Sequence, residues 1–188
     1  MTAAALPHMT LAEFLRWDDG TDRRYELVDG QVLAMAPPSQ PHGTIVHSIG
    51  RRIGNTLKLP CRVVGEAGLV VPGRGDTFYV ADLVVTCEPP QPIQRVAEPI
   101  LIVEVLSPST ETHDRGDKLR DYWLIESVQE ILLVSSRQKR AEHWLRGKGV
   151  WTVREWIGGG AIPLRSVDVE LSFDDIYQGV ALTDTDAS

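Results

Sequence analysis

The stretch "ILIVEVL", Ile100 to Leu106, constrains this chain more than any other. It has no polar alternation, so it reads as a strand covered on both faces, the kind found inside an α/β sheet flanked by helices. Yet Glu104 stands in its middle. Burying an unpaired carboxylate costs several kcal/mol even after relaxation, unless the group takes up a proton, pairs with a cation or ligates a metal. Something else in the sequence has to neutralise it.

Two further acids sit in comparable surroundings. Asp82 interrupts "FYVADLVVTC", which is otherwise apolar from Val80 to Val85, and Glu26 interrupts "YELV". Singly, each has a structural explanation: Glu26 half exposed on an early strand, Asp82 at a strand end, Glu104 paired with an arginine. Together they form the oxygen-rich set that Mg²⁺ or Mn²⁺ takes, since Mg²⁺ is usually held by one or two carboxylates, with water and substrate phosphate completing its shell. No His or Cys set has zinc spacing, which favours a hard cation. A fourth group comes from "THDRGDKLRDYWLIES", which reads as a helix capped by Asp114 with Asp117 three residues on. At about 100° per residue, Arg115 lies within the arc of its Leu119, Tyr122 and Trp123 face and Lys118 on the margin, so both can look toward the sheet.

The rest of the chain reads as one domain from residue 1 to about 180, with 181–188 a frayed polar tail. Thr10 caps a short helix through Trp17. Asp29-Gly30 makes a two-residue hairpin turn between apolar runs, and Ile45, Ile49, Ile53 and Leu57 form a helical stripe. Strands follow at Arg62 to Glu66, Leu69 to Val71, Tyr79 to Cys87 and Ile100 to Leu106. Beyond the Lys118 helix come Glu130 to Ser135, Ala141 to Arg146 and Val150 to Trp156, an edge strand near Val167 to Leu171, and a short helix around Asp174 to Tyr177. Arg74-Gly75-Asp76 reads as a plain turn. Cys61 and Cys87 lack a C-x-x-C spacing and read as two buried, reduced thiols. The 188 residues carry a formal net charge of −7, so any nucleic acid has to be held by a local basic cluster rather than by the overall field. With no leader-like segment and no apolar run long enough to span a bilayer, a cytoplasmic protein is expected.

The segments "YELVDG", "ADLVV" and "VEVLSPSTETHDRGDKLRDYW" together resemble the Uma-two family of restriction endonuclease-like proteins, a branch of the PD-(D/E)XK nuclease superfamily. The resemblance runs from Met9 to Tyr177 and is most specific in "EVLSPST" and "DRGDKLRDYW". It implies an α/β (α+β) restriction-endonuclease-like fold, a mixed central β-sheet flanked by helices. It puts the superfamily's Asp at Asp82 and its second acid at Glu104, with Glu26 an additional acid. Two positions depart from the superfamily pattern: Ala81 stands where a Pro is usual, and Leu106 where a Lys is expected two residues after the second acid. The resemblance moves that lysine to Lys118, on the following helix.

The implied activity is a Mg²⁺-dependent endonuclease hydrolysing phosphodiester bonds, on DNA before RNA. Asp82 and Glu104 are the metal ligands, and Lys118 and Glu26 the other catalytic groups. Arg115, Arg120 and His42 are expected nucleic-acid contacts. The alternative is a catalytically inactive nuclease-fold module that binds nucleic acid or assembles with copies of itself. A homodimer fits an enzyme that cuts both strands, and Trp144, Trp151 and Trp156 are open to core or interface roles. A serine hydrolase using Ser107 or Ser109 lacks the G-x-S-x-G elbow.

Overall fold

The computed structural model describes residues 8–107 and 114–182. The leader reading of the first residues, Ser109, the start of the expected Lys118 helix at Thr112 and the tail from 183 lie outside them. The order is α1 (Leu11–Phe14), β1 (Tyr25–Val28), β2 (Gln31–Ala34), α2 (Gln40–Gly54), β3 (Arg62–Val70), β4 (Phe78–Thr86) and β5 (Pro99–Leu106). An irregular turn (Asp114–Lys118) then leads into α3 (Leu119–Trp123), β6 (Glu130–Ser135), β7 (Arg140–Arg146), β8 (Trp151–Ile157), β9 (Ala161–Leu164), β10 (Val169–Ser172) and α4 (Phe173–Ile176).

Eight strands form one mixed sheet in the order β2-β1-β4-β5-β6-β7-β8, with β3 paired to β4 as a branch. Among the paired strands of the described residues, β5 and β6 run parallel, because the chain crosses over between them through α3, and the other pairs are antiparallel. The β1–β2 hairpin turns at Asp29 and Gly30, both with positive φ (49° and 78°), as a two-residue hairpin turn requires. β9 and β10 form a separate two-stranded sheet. The expected strand near Val167 to Leu171 is its second member, and β9 was not expected, because the Gly158-Gly159-Gly160 loop masks its start. The two runs read as Arg62 to Glu66 and Leu69 to Val71 are one strand, bent where Glu66 takes a φ of 51°.

Each face of the sheet carries its own core. On one face Ile45, Ile49 and Ile53 of α2 meet Leu83, Val85, Val103 and Val105, joined by Phe173 and Ile176 of α4. On the other, Leu119 and Tyr122 of α3 meet Tyr79, Val84, Ile102 and Leu133. Trp144 and Trp151 pack against Trp123, and Trp156 packs on the α2 side, each remaining partly exposed. Fully burying a side chain of this size contributes about 1.5–3 kcal/mol, which is how both faces of β5 come to be covered.

The cysteine expectation is corrected. Cys61 and Cys87 form a disulfide. The β3–β4 register sets Arg62 opposite Thr86, so the residues just beyond face each other across the same antiparallel pair. Their separation of 26 residues carries no motif that betrays this.

Candidate active site

The site forms where β4 changes partners. β3 runs along the whole of one β4 edge, while the other edge is shared: β1 reaches it only at Phe78, and β5 begins pairing only at Leu83. Between those points the β4 backbone needs side-chain partners, since buried N–H and C=O groups rarely go unsatisfied. Acids supply them. The Val80 N–H donates to Glu26 Oε1 at 2.8 Å and the Asp82 N–H to Glu104 Oε2 at 3.3 Å. In return, the Val105 N–H of β5 donates to Asp82 Oδ2 at 2.7 Å.

Glu104 and Lys118 are each 4% exposed, and Lys118 Nζ lies 3.0 Å from both Glu104 Oε1 and Glu26 Oε1. The same ammonium donates to the Val80 carbonyl at 3.4 Å, lies 3.7 Å from Asp114 Oδ1 and sits over the Tyr79 ring. Tyr122 OH donates to Glu104 Oε1 at 2.6 Å. At the outer end of the cluster, the Asp82 side chain is 20% exposed and His42 Nε2 lies 3.2 Å from its Oδ2. Ser39 caps α2 and accepts from the His42 N–H, which fixes the first helical turn that carries His42.

Charge in this cluster is unbalanced. Among the described residues, Glu26, Glu104 and Asp114 gather around one lysine, and Asp82 lies next to Glu104. Burial pushes Glu104 up to about 8; Lys118 opposes this, and the Asp82 and Asp114 charges add to it. Burial works against the Lys118 charge too, but Glu104, Glu26 and Asp114 outweigh it and hold the ammonium protonated. Tyr122 is pushed well above the usual phenol range by burial and by Glu104.

Of the residues singled out from sequence, Asp82, Glu104, Lys118, Glu26 and His42 are brought together. Arg115 reaches the sheet elsewhere, pairing with Glu142 on β7. Arg120 is exposed and pairs with Asp117. Arg115 diverges because of Gly116, whose φ of −93° and ψ of −114° break the helical path, so the face of a continuous helix does not hold before Lys118; Arg120 simply lies on the solvent side of α3. The same break corrects the reading of Asp114 as a cap: regular helix begins at Leu119, and Asp114 is a buried carboxylate beside Lys118. Tyr122 was read only as an apolar-face residue and Asp114 only as a cap. Their four-residue spacing around Lys118 was the available signal.

Contacts to Asp121 steady α3. Tyr79 OH donates to Asp121 at 2.8 Å, and Arg74 donates to the same carboxylate while also pairing with Asp29 and Asp76. The Arg74-Gly75-Asp76 turn thus ties the β1–β2 hairpin to α3.

A divalent cation fits the donor set in a restricted sense. Among the described residues no three acidic, His or Cys side chains converge into an ion cage. Asp82 and Glu104, directly opposed on β4 and β5, are instead a two-carboxylate set of the kind Mg²⁺ uses with water and phosphate. The gathering of four carboxyl groups about one ammonium among the described residues is the observation that favours a cation there.

A solved structure from Anabaena variabilis ATCC 29413, described as "a putative nuclease belonging to DUF820", superposes with a TM-score of 0.73, covering 90% of this chain and 97% of that one at 20% identity. It shares the fold. Two Synechocystis proteins, both described as uncharacterized, are similar along nearly their whole length. Slr1290 is 31% identical over 183 residues, covering 95% of this chain and 96% of its own, and sll1609 is 26% identical over 182 residues, covering 92% and 98%. The Uma2 family model, whose description reads "Putative restriction endonuclease", matches residues 11–174, and with that span including every acid of the cluster and Lys118, this chain belongs to the Uma2 family of restriction-endonuclease-like nucleases.

Proposed function

We propose that this protein is a Mg²⁺- or Mn²⁺-dependent endonuclease that hydrolyses phosphodiester bonds, with DNA as its polymer. One observation carries the reading: Asp82 and Glu104 face each other at the sheet's fork, with Lys118 Nζ 3.0 Å from Glu104 and carboxyl groups outnumbering ammonium groups among the described residues there. Asp82 and Glu104 would hold the metal. When bound, it would polarise the scissile phosphate and lower the pKa of a water.

The protein's own groups do the rest. Lys118, kept protonated by its three acidic neighbours, stabilises charge building on the phosphate oxygens. Glu26 accepts from the Lys118 ammonium on the β1 side, and in this reading it would orient the attacking water. His42 holds the exposed Asp82 carboxylate in its rotamer. Arg120, on the solvent side of α3, is available to a phosphate further along the strand.

A second reading, a nuclease fold that binds nucleic acid without turnover, is favoured by one feature: Lys118 already compensates Glu104 and Glu26. Incubating purified protein with plasmid and oligonucleotide DNA in Mg²⁺, Mn²⁺ or EDTA separates the two. The nuclease reading expects cutting that EDTA and Asp82→Ala each abolish while the fold persists. Binding that survives Asp82→Ala, with no cutting by the wild type, supports the inert module. No helix among the described residues is long and apolar enough to cross a membrane. A cytoplasmic setting goes with this substrate, and the Cys61–Cys87 disulfide is the feature that stands against it.

A further inference from the structure

Beside Asp82 a cleft of about 370 Å³ opens between α2 and the β3–β4 pair, lined in part by Gly43, His47, Gly50 and Arg51 of α2 and Gly65 of β3. Its size is that of a small-ligand cleft, roughly 300–1,000 Å³. We infer that it receives the polynucleotide strand next to the scissile phosphate, with the bare backbone of α2 against the sugar–phosphate chain and His47 and Arg51 as phosphate contacts. This rests on the nuclease reading of the neighbouring carboxylates.

Two independent features point to such an occupant. The first is charge. In a chain of net charge −7, the fifteen residues of α2 carry no Asp or Glu, and while Arg52 pairs with Asp175 and His42 with Asp82, Arg51 and His47 line the cleft. This is the local basic element that a polyanion needs on an acidic protein. Glu66 on the opposite wall is offset by Arg24. Arg51 hydrogen-bonds Gln178 at an exposed position, from which it can turn to a ligand.

The second is glycine placement. Packing dictates glycine at two places in the sheet region: a Cβ at Gly68 would lie 2.3 Å from the Gln94 carbonyl and the Phe78 ring, and one at Gly30 would lie 2.3 Å from the His8 ring, whereas loop glycines such as Gly75 and Gly159 stand in open space. In the cleft packing does not dictate it. A Cβ at Gly43 would meet nothing within 4 Å, one at Gly50 would touch Leu83 at 3.5 Å, and one at Gly65 would have its nearest neighbours at 4.0 Å, with no positive φ at any of the three. Glycine weakens helix and strand interiors, so three of them without a packing reason leave space for something outside the protein.

The test measures anisotropy of a labelled single-stranded oligodeoxynucleotide over a salt series. Ca²⁺ is present because it takes the same oxygen donors as Mg²⁺. Arg51→Ala is expected to weaken binding about tenfold, the scale of one charge-assisted contact, and to lower the slope of log K against log salt by about 0.7. Gly43→Leu, which improves helix propensity and whose Cβ meets nothing within 4 Å, is expected to weaken binding at least as much with the slope unchanged. Lys148→Ala, on the β7–β8 turn, is the control that binds as wild type. If both cleft variants bind and cut like wild type while Asp82→Ala is dead, the cleft inference falls and the nuclease reading stands. A wild type that neither binds nor cuts DNA or RNA removes both.

Discussion

Replacing Lys118 with methionine removes the ammonium from a buried carboxylate cluster while keeping most of the side chain's volume. The ammonium lies 3.0 Å from Glu104, 3.0 Å from Glu26 and 3.7 Å from Asp114, and is 4% exposed. At an effective dielectric of about 20, a pair at that distance interacts by roughly 5 kcal/mol, and the ammonium's desolvation cancels much of the sum. Truncating one partner of such a buried set typically costs about 3–5 kcal/mol, because the remaining charges are stranded. The loss should grow with pH. Glu104, raised to about 8 from an ordinary 4.5, binds a proton in the folded state that the unfolded chain has already released, so wild-type stability falls as pH rises from about 4.5 through about 8. Between pH 6 and 8 the fall is at most about 3 kcal/mol, at 1.36 kcal/mol per unit. Lys118 adds no slope there, since its raised pKa keeps it charged in both states. Without the ammonium, Glu104 rises further and the decline steepens. Urea unfolding in EDTA at pH 6 and pH 8.5, on wild type, Lys118→Met and Lys118→Met with Glu104→Gln, reads all of this. The double variant should regain stability at the higher pH. Equal stability of wild type and Lys118→Met at pH 8.5 would refute the argument.

Other outcomes follow from single contacts. Tyr122→Phe takes the 2.6 Å donor from Glu104 and should cost about 1–3 kcal/mol in urea unfolding, with the loss larger at pH 8 than at pH 6, since the bond favours the ionised carboxylate. His42→Ala frees Asp82 from its 3.2 Å contact, and kcat for Mg²⁺-dependent cutting should fall more than KM rises, because the substitution disturbs a ligand rather than the substrate path. Reducing the Cys61–Cys87 bond, which closes a loop of 26 residues, should lower stability by about 2–4 kcal/mol, and thiol titration of the denatured, unreduced protein should find neither cysteine free.

How far the site could be read in advance depends on how local each signal was. Glu104, Asp82 and Glu26 announced themselves because a carboxylate in an apolar strand is costly wherever the strand lies. Lys118 was reachable through its place after that strand, and the family resemblance supported it. Arg115 and Asp114 were misjudged because one residue, Gly116, turns the chain out of the helix assumed for them. Arg74 looked like an ordinary turn residue, since nothing local reveals that Asp121 lies beside it.

The sequence alone determined the doubly covered β5 strand, the β1–β2 hairpin, the α2 stripe and the presence of acids that need a cation, because each depends on periodicity or on the cost of burying charge. Only the tertiary structure decided where those acids meet. They meet where β1 and β5 share one edge of β4 and leave its backbone to be satisfied by carboxylates, and strand order of that kind is set by long-range pairing that no local pattern encodes. The same pairing set Cys61 against Cys87 and opened the glycine-lined cleft beside Asp82.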